Sequence, residues 1–215
     1  MTDGILLVDK PAGMTSFGVV ARVRRILSQQ AGKKIKVGHT GTLDPFATGL
    51  MIIVVGKECK NASHYSKLDK VYDASIHLGQ TSSTGDPEGI VVDVSDKEPS
   101  KKEIEDILPR FIGDIMQKPP AFSAIKINGQ RAYQLARSGK VADIPPRLIK
   151  IYDIEIISYE YPILKVRAHV GSGTYIRSLA EDIGQTLGVG AYCTGLRRIK
   201  VGEWSIDSAR SIEEL

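Results

Sequence analysis

The 215 residues carry 29 basic and 25 acidic side chains, a formal net charge of +4, with 42% hydrophobic and 25% charged residues. That composition excludes a disordered or fibrous chain, and the length accommodates one domain or two small ones around a real core. The longest apolar run, residues 50–55, has strand length and falls far short of the ~20 residues a membrane helix needs.

In chain order, residues 4–9 read as a short buried strand that ends at Lys10-Pro11. Thr15 or Ser16 is placed to cap a helix with the apolar stripe Val19, Val20, Val23, Ile26 and Leu27, and Gly32 lies beyond its end. Residues 50–55 read as a second buried strand. Tyr72, Ala74, Ile76 and Leu78 alternate with Val71, Asp73, Ser75 and His77, which predicts a half-buried strand over 71–78. Residues 79–89, rich in Gly, Ser, Thr, Asp and Pro, read as a loop before a strand at 90–94. Ser100 and Glu103 match a capping box for a helix carrying Ile104, Ile107, Leu108 and Phe111, disturbed at its end by Pro109. Lys118-Pro119-Pro120 opens an irregular stretch, with a turn expected at Asn128-Gly129. Residues 148–158 and 163–170 form an expected strand pair, and Thr174 precedes a helix with Ile176, Leu179, Ala180, Ile183 and Leu187 inward, ending near Gly188. Strands thus fall in pairs more than in strict alternation with helices. This predicts an α+β fold on a mixed, mostly antiparallel sheet flanked by helices and loops.

The charge is unevenly placed. Arg22, Arg24, Arg25, Lys33, Lys34 and Lys36 lie within residues 11–43, a stretch with no acid. Lys118, Lys126, Arg131, Arg137, Lys140, Arg147 and Lys150 face only Asp143 within residues 117–150. Two basic segments on an otherwise acidic chain suit an anionic partner, nucleic acid first, although solvated faces would read the same way. Residues 1–10 have no long apolar stretch behind a basic segment, so no secretory signal is expected. Cys59 and Cys193 are far apart and outside any CxxC pair, which argues against a disulfide framework or zinc knuckle and for a reducing, cytoplasmic setting.

The densest motif is Gly38-His39-Thr40-Gly41-Thr42-Leu43-Asp44-Pro45-Phe46-Ala47-Thr48-Gly49. Asp44-Pro45 has the form of a helix N-cap followed by proline at the first helical position. The same residues also describe a polar loop that displays a carboxylate, with small neighbours permitting close approach of a substrate backbone. The spacing fits neither a P-loop nor a dinucleotide fingerprint, and His39, His64, His77 and His169 share no metal-ligand spacing. No GxSxG elbow is present. A second segment, Gly171-Ser172-Gly173-Thr174-Tyr175-Ile176-Arg177-Ser178, sets Tyr175 and Arg177 at a glycine-rich helix entry. Alone, it is matched by a packing tyrosine and a surface arginine.

Taken in order, five segments resemble the bacterial tRNA pseudouridine-55 synthases. They are Asp9-Lys10-Pro11-Ala12-Gly13-Met14-Thr15-Ser16, the run at 38–50, Lys70-Val71-Tyr72, the run at 173–184, and Gly195-Leu196-Arg197-Arg198. The resemblance spans residues 4–204 and implies the pseudouridine synthase fold over one catalytic domain, 1–215, with residues 117–150 as an insertion that closes over RNA. Family members commonly continue into a C-terminal RNA-binding domain of the PUA type, which the resemblance does not place within these residues. The implied activity breaks the C1′–N1 bond of one uridine in the tRNA T-loop and remakes it as C1′–C5. No metal, nucleotide or redox cofactor is implied, nor a membrane or obligate protein partner, and the family-like state is a monomer.

By the same resemblance Asp44 matches the covalent nucleophile and Arg177 the residue that pairs with it. Tyr72 matches the tyrosine that stacks on the flipped base, and Tyr175 a second tyrosine at the pocket wall. His39 matches the histidine that holds the T-loop open, and Leu196 lines the uridine pocket. Lys10, Gly38, Thr40 and Thr42 belong to the matching substrate-binding segments, Lys10 in a supportive role.

Overall fold

The computed structural model describes residues 1–123, 125–127, 129–138 and 144–215. The chain opens with β1 (Gly4–Lys10), α1 (Ser16–Ala31), β2 (Val37–His39) and β3 (Thr48–Val55). A short helix α2 (Ala62–Ser66) leads to β4 (Lys70–Leu78), the hairpin strands β5 (Gln80–Ser82) and β6 (Val91–Asp93), and α3 (Lys101–Ile107). Next come β7 (Gly113–Gln117), β8 (Lys126–Ile127), β9 (Gln130–Arg131), α4 (Ala132–Arg137), β10 (Arg147–Glu160) and β11 (Ile163–Val170). The chain closes with α5 (Ile176–Leu187), β12 (Ala191–Val201), β13 (Trp204–Ser205) and β14 (Arg210–Ser211). The fold is mixed α+β on a mostly antiparallel main sheet of ten strands. Among the described residues, no helix is long and apolar enough to cross a membrane.

The residues group into two compact units, 1–73 with 196–215, and 74–195. In the first, strand order is β14-β1-β3-β12, with β2 on β3 and β13 on β12. β1 runs antiparallel to β3 from Gly4↔Val55 to Lys10↔Gly49, whereas β12 runs parallel to β3 at Arg197↔Thr48 and Arg198↔Gly49. β3 is apolar and buried from residue 50 to residue 55 because it is covered on both faces, as expected of a central strand with a parallel neighbour. Gly49 sits at φ +109°, and a Cβ there would lie 2.3 Å from the Arg198 carbonyl oxygen, so only glycine permits this crossing. Thr15 caps α1 by accepting from the Gly18 N–H at 3.0 Å, and Gly32 closes it in a left-handed conformation. The helix buries Val19, Val20, Val23 and Leu27, with Ile26 half-buried at the edge of the stripe.

In the second unit the order is β12-β4-β11-β10-β7, with β10 antiparallel to both β11 and β7. The even positions of β4 are buried in strict alternation, as their pattern predicts. Ser100 and Glu103 complete the expected capping box on α3, and Pro109 shifts the chain into a 3-10 turn over Leu108–Phe111.

Two expectations are corrected. Asp44-Pro45 starts no helix; the Ala47 N–H closes a turn on the Asp44 carbonyl at 3.1 Å, because the chain enters β3 at Thr48. The loop expected at 79–89 begins with β5, which pairs with β6. Thr174 precedes α5 as expected, with Tyr175 at the cap position, and its Oγ1 is buried with no hydrogen-bond partner among the described residues. β2, β7 and β12 were not anticipated at all. Of the expected Asn128-Gly129 turn, Asn128 lies outside the described residues, as do Lys140 and Asp143.

Candidate functional site

In the first unit, pairing of β2 with β3 sets Gly38 opposite Val54 and His39 opposite Ile53. Thr40 is buried, and both its N–H (3.2 Å) and its hydroxyl (3.3 Å) donate to the Ile52 carbonyl. Arg198, 2% exposed on β12, donates from Nε to the Leu50 carbonyl at 2.7 Å and from Nη2 to the Gly41 carbonyl at 3.1 Å. The start of the 38–48 segment is thereby tied to β3.

The backbone around Asp44 is pinned on both sides. The Ser16 hydroxyl donates to the Leu43 carbonyl at 2.9 Å and accepts the Leu43 N–H at 2.8 Å. The Pro45 carbonyl accepts from the Gly13 N–H at 2.8 Å and from Lys10 Nζ at 3.2 Å. A buried backbone group left without such a partner costs about 1–3 kcal/mol, so the loop has strong reason to hold this one conformation. Asp44 itself is half-buried, and Thr42 is exposed.

Lys10 was expected among the substrate-binding residues. The structure places it in the interior, with its ammonium on the carbonyls of Pro11 (2.8 Å), Met14 (2.7 Å) and Pro45 (3.2 Å). The ammonium thereby ties residues 11–14 to the Pro45 carbonyl of the Asp44 loop, which suits a supportive role.

His39 is half-buried, and its buried Nδ1 has no hydrogen-bond partner among the described residues. Burial, and secondarily the Arg198 guanidinium, lower its pKa, so the ring is neutral at pH 7. Tyr72 is buried on the inner face of β4, and Leu196 is half-buried on β12. Next to Leu196, Arg197 grips Asp9 with two parallel bonds of 3.1 and 2.7 Å. Lys70, two residues before Tyr72, donates to the Ser66 carbonyl at 2.7 Å and to the Leu68 carbonyl. Its pKa is lowered to about 8, chiefly by burial and then by the Arg198 charge.

In the second unit, Gln117 brackets Tyr175. Its Oε1 accepts the Tyr175 N–H at 2.8 Å and its Nε2 donates to the Tyr175 carbonyl at 3.1 Å. Arg177, on the first turn of α5, is 3% exposed and forms a 2.9 Å ion pair with Asp86, itself 6% exposed. The guanidinium also donates to the carbonyls of Thr84 (2.8 Å) and Phe122 (2.7 Å). The other Asp86 oxygen accepts from the Thr84 hydroxyl at 2.6 Å and the Glu88 N–H at 3.0 Å. Asp86 is a buried partner of Arg177 that sequence reasoning missed. A buried arginine demands an acid, but nothing local distinguishes Asp86 from its neighbour Glu88. Among the described residues, no cluster of three or more His, Cys, Asp or Glu side chains is arranged to hold a metal ion.

The motifs behind this geometry recur in known proteins. Residues 24–176 match the model of the TruB family pseudouridylate synthase N-terminal domain, and residues 177–215 that of the tRNA pseudouridylate synthase B C-terminal domain. The tRNA pseudouridine synthase B of Aquifex aeolicus is 43% identical over 99% of this chain and 73% of its own length. That of Dechloromonas aromatica is 42% identical over 99% of this chain and 70% of its own. The Parabacteroides distasonis protein of the same name is 42% identical over 98% and 91%. Among solved structures, a chain of a Cbf5–Nop10–Gar1 complex superposes with a TM-score of 0.76 at 29% identity, covering all of this chain and 54% of that one. A chain of an H/ACA ribonucleoprotein bound to a substrate RNA containing 2′-deoxyuridine gives 0.73 at 28% identity, over 99% of this chain and 52% of that one. Matched along nearly its whole length, the chain belongs to the TruB family of tRNA pseudouridine synthases, which are isomerases.

Proposed function

We propose that this chain converts uridine 55 in the T-loop of tRNA to pseudouridine, with Asp44 as the covalent nucleophile. The observation that carries the reading is the placement of Asp44, a half-buried carboxylate-bearing residue on a loop whose backbone is pinned at Leu43 and Pro45. A reacting group gains from such fixed placement because orientation is settled before substrate arrives.

In the proposed reaction the carboxylate bonds to the ribose C1′, directly or after a glycal forms, or to C6 of the base. The C1′–N1 bond breaks and C1′–C5 forms, the carboxylate–carbon bond breaks to return Asp44 as the free carboxylate, the C5 hydrogen leaves as a proton and N1 gains one, so the nucleotide keeps its composition. Arg177, oriented by Asp86, is the cation assigned to keep the carboxylate ionised. Tyr72 supplies the stacking surface for the flipped base, a contact of about 1–3 kcal/mol in single-strand binders. Flipping itself costs roughly a few kcal/mol, which stacking and pocket contacts offset. Tyr175 is assigned to the pocket wall and to removal of the C5 proton. Leu196 is assigned to an apolar wall that keeps the detached base from water. His39, with Gly38, Thr40 and Thr42, is assigned to the T-loop. Residues 1–215 are assigned to one catalytic unit, and the insertion at 117–150, which lies partly outside the described residues, to contact with the RNA.

The test is a bare tRNA transcript carrying tritium at uridine C5. Purified protein alone is expected to release the label and to leave pseudouridine at position 55. Modification elsewhere would refute the position. A requirement for guide RNA or added proteins would instead favour the second reading, an enzyme that works only within a larger complex; the matched chain of the Cbf5–Nop10–Gar1 structure is itself part of a multiprotein complex. Activity without partners is also what a self-sufficient monomer in the cytoplasm requires.

The basic face of α1 is assigned to phosphate contacts. Arg22 and Arg25 are exposed, and Arg24 lies 5.8 Å over the exposed Phe17 ring. Replacing Arg24 and Arg25 by glutamine is expected to weaken tRNA binding and flatten its salt dependence, by a slope of about 0.7–0.9 per lost contact. An unchanged slope in a salt titration would show that α1 does not touch RNA.

A further inference from the structure

We infer that Ser16 is a positioning residue for this reaction, setting the place from which the Asp44 carboxylate works; the inference rests on Asp44 being the nucleophile. Ser16 is the first residue of α1 and is buried. The helix does not use its hydroxyl as a cap, because Thr15 fills that role. One oxygen atom instead satisfies both polar backbone groups of Leu43, a residue with a buried side chain.

The consequence for Asp44 follows from peptide planarity. The Leu43 carbonyl lies in the same rigid plane as the Asp44 nitrogen and Cα. Holding that oxygen holds the plane from which Asp44 departs. The next plane is held as well, since the Asp44 carbonyl accepts the Ala47 N–H at 3.1 Å. With both flanking peptides fixed, the backbone torsions of Asp44 are fixed, and its carboxylate moves only about its side-chain bonds. Without the hydroxyl, the Leu43 N–H and C=O must turn toward other partners, and the first plane turns with them.

The test compares Ser16→Ala, Ser16→Thr, Val19→Ala and Asp44→Asn in single-turnover conversion of tRNA, with tRNA affinity and thermal unfolding measured on each. A misplacement near 1 Å can cost about 100-fold, so Ser16→Ala is expected to slow the bound-state rate about 10- to 100-fold with tRNA affinity within about twofold of wild type. Ser16→Thr, which keeps a hydroxyl, is expected to recover most of that rate. Val19 is also buried on α1 but has no bond to Leu43, so Val19→Ala should lower the unfolding temperature and leave the rate intact. Ser16→Ala at the wild-type rate, or a loss confined to affinity, overturns the inference. An equal rate loss in Val19→Ala also overturns it, since helix stability would then be the cause. Turnover by Asp44→Asn would overturn the nucleophile and the inference together. An inactive Asp44→Asn beside a full-rate Ser16→Ala overturns the inference alone.

Discussion

Asparagine at position 44 is expected to abolish turnover while tRNA still binds. The Asp44→Asn side chain keeps nearly the shape of the original but loses the negative charge and the nucleophilic oxygen. Removing a covalent nucleophile typically lowers the rate by on the order of 10⁴-fold or more. The backbone bonds that hold the loop involve Leu43, Pro45 and the Asp44 carbonyl, none of which the substitution touches. Tritium release should therefore fall to background, with affinity within about threefold of wild type. Release at more than about a hundredth of the wild-type rate would mean that another group attacks. A large loss of affinity would mean that Asp44 serves chiefly to bind RNA.

Truncating Asp86 is expected to have the largest effect on stability. Its carboxylate and the Arg177 guanidinium are both almost fully buried and 2.9 Å apart. Removing one member of such a pair strands the other charge in a poorly solvated place, at a cost of about 3–5 kcal/mol. In a chain of this size that lowers the midpoint of thermal unfolding by roughly 10 °C. Asp86→Ala also removes the acceptor for the Thr84 hydroxyl and the Glu88 N–H, so the 84–88 turn should loosen with it. Catalysis should decline as well, measured on protein shown to be folded at the assay temperature, because Arg177 loses the partner that fixes its plane. A midpoint within about 2 °C of wild type would show that the pair contributes little and that its surroundings hold Arg177 unaided.

The parts of the fold legible in the sequence were those settled by near neighbours. Thr15 and Gly32 bound α1, Ser100 and Glu103 open α3, and the alternation in β4 is complete within nine residues. β12 was illegible because Gly195, Arg197 and Arg198 interrupt any strand pattern, and its place depends on β3, well over a hundred positions earlier. Asp44-Pro45 misled for a related reason, since the local signal for a helix start is overridden by the entry into β3. The same division holds for the site. The residues assigned to chemistry stand in recognisable motifs. Those that hold them do not, because Ser16 reaches Leu43 across 27 positions, Gln117 reaches Tyr175 across 58, and Arg177 reaches Asp86 across 91. Such bonds leave no periodicity to read.

The bond between Ser16 and Leu43 also joins two stretches of chain that would otherwise open independently. The Leu43 amide can exchange its hydrogen with solvent only when the Ser16 oxygen releases it. The hydroxyl belongs to the first residue of α1, the helix that also carries Arg22, Arg24 and Arg25. Slow exchange at Leu43 would therefore report on how firmly the Asp44 loop is docked against the start of that helix.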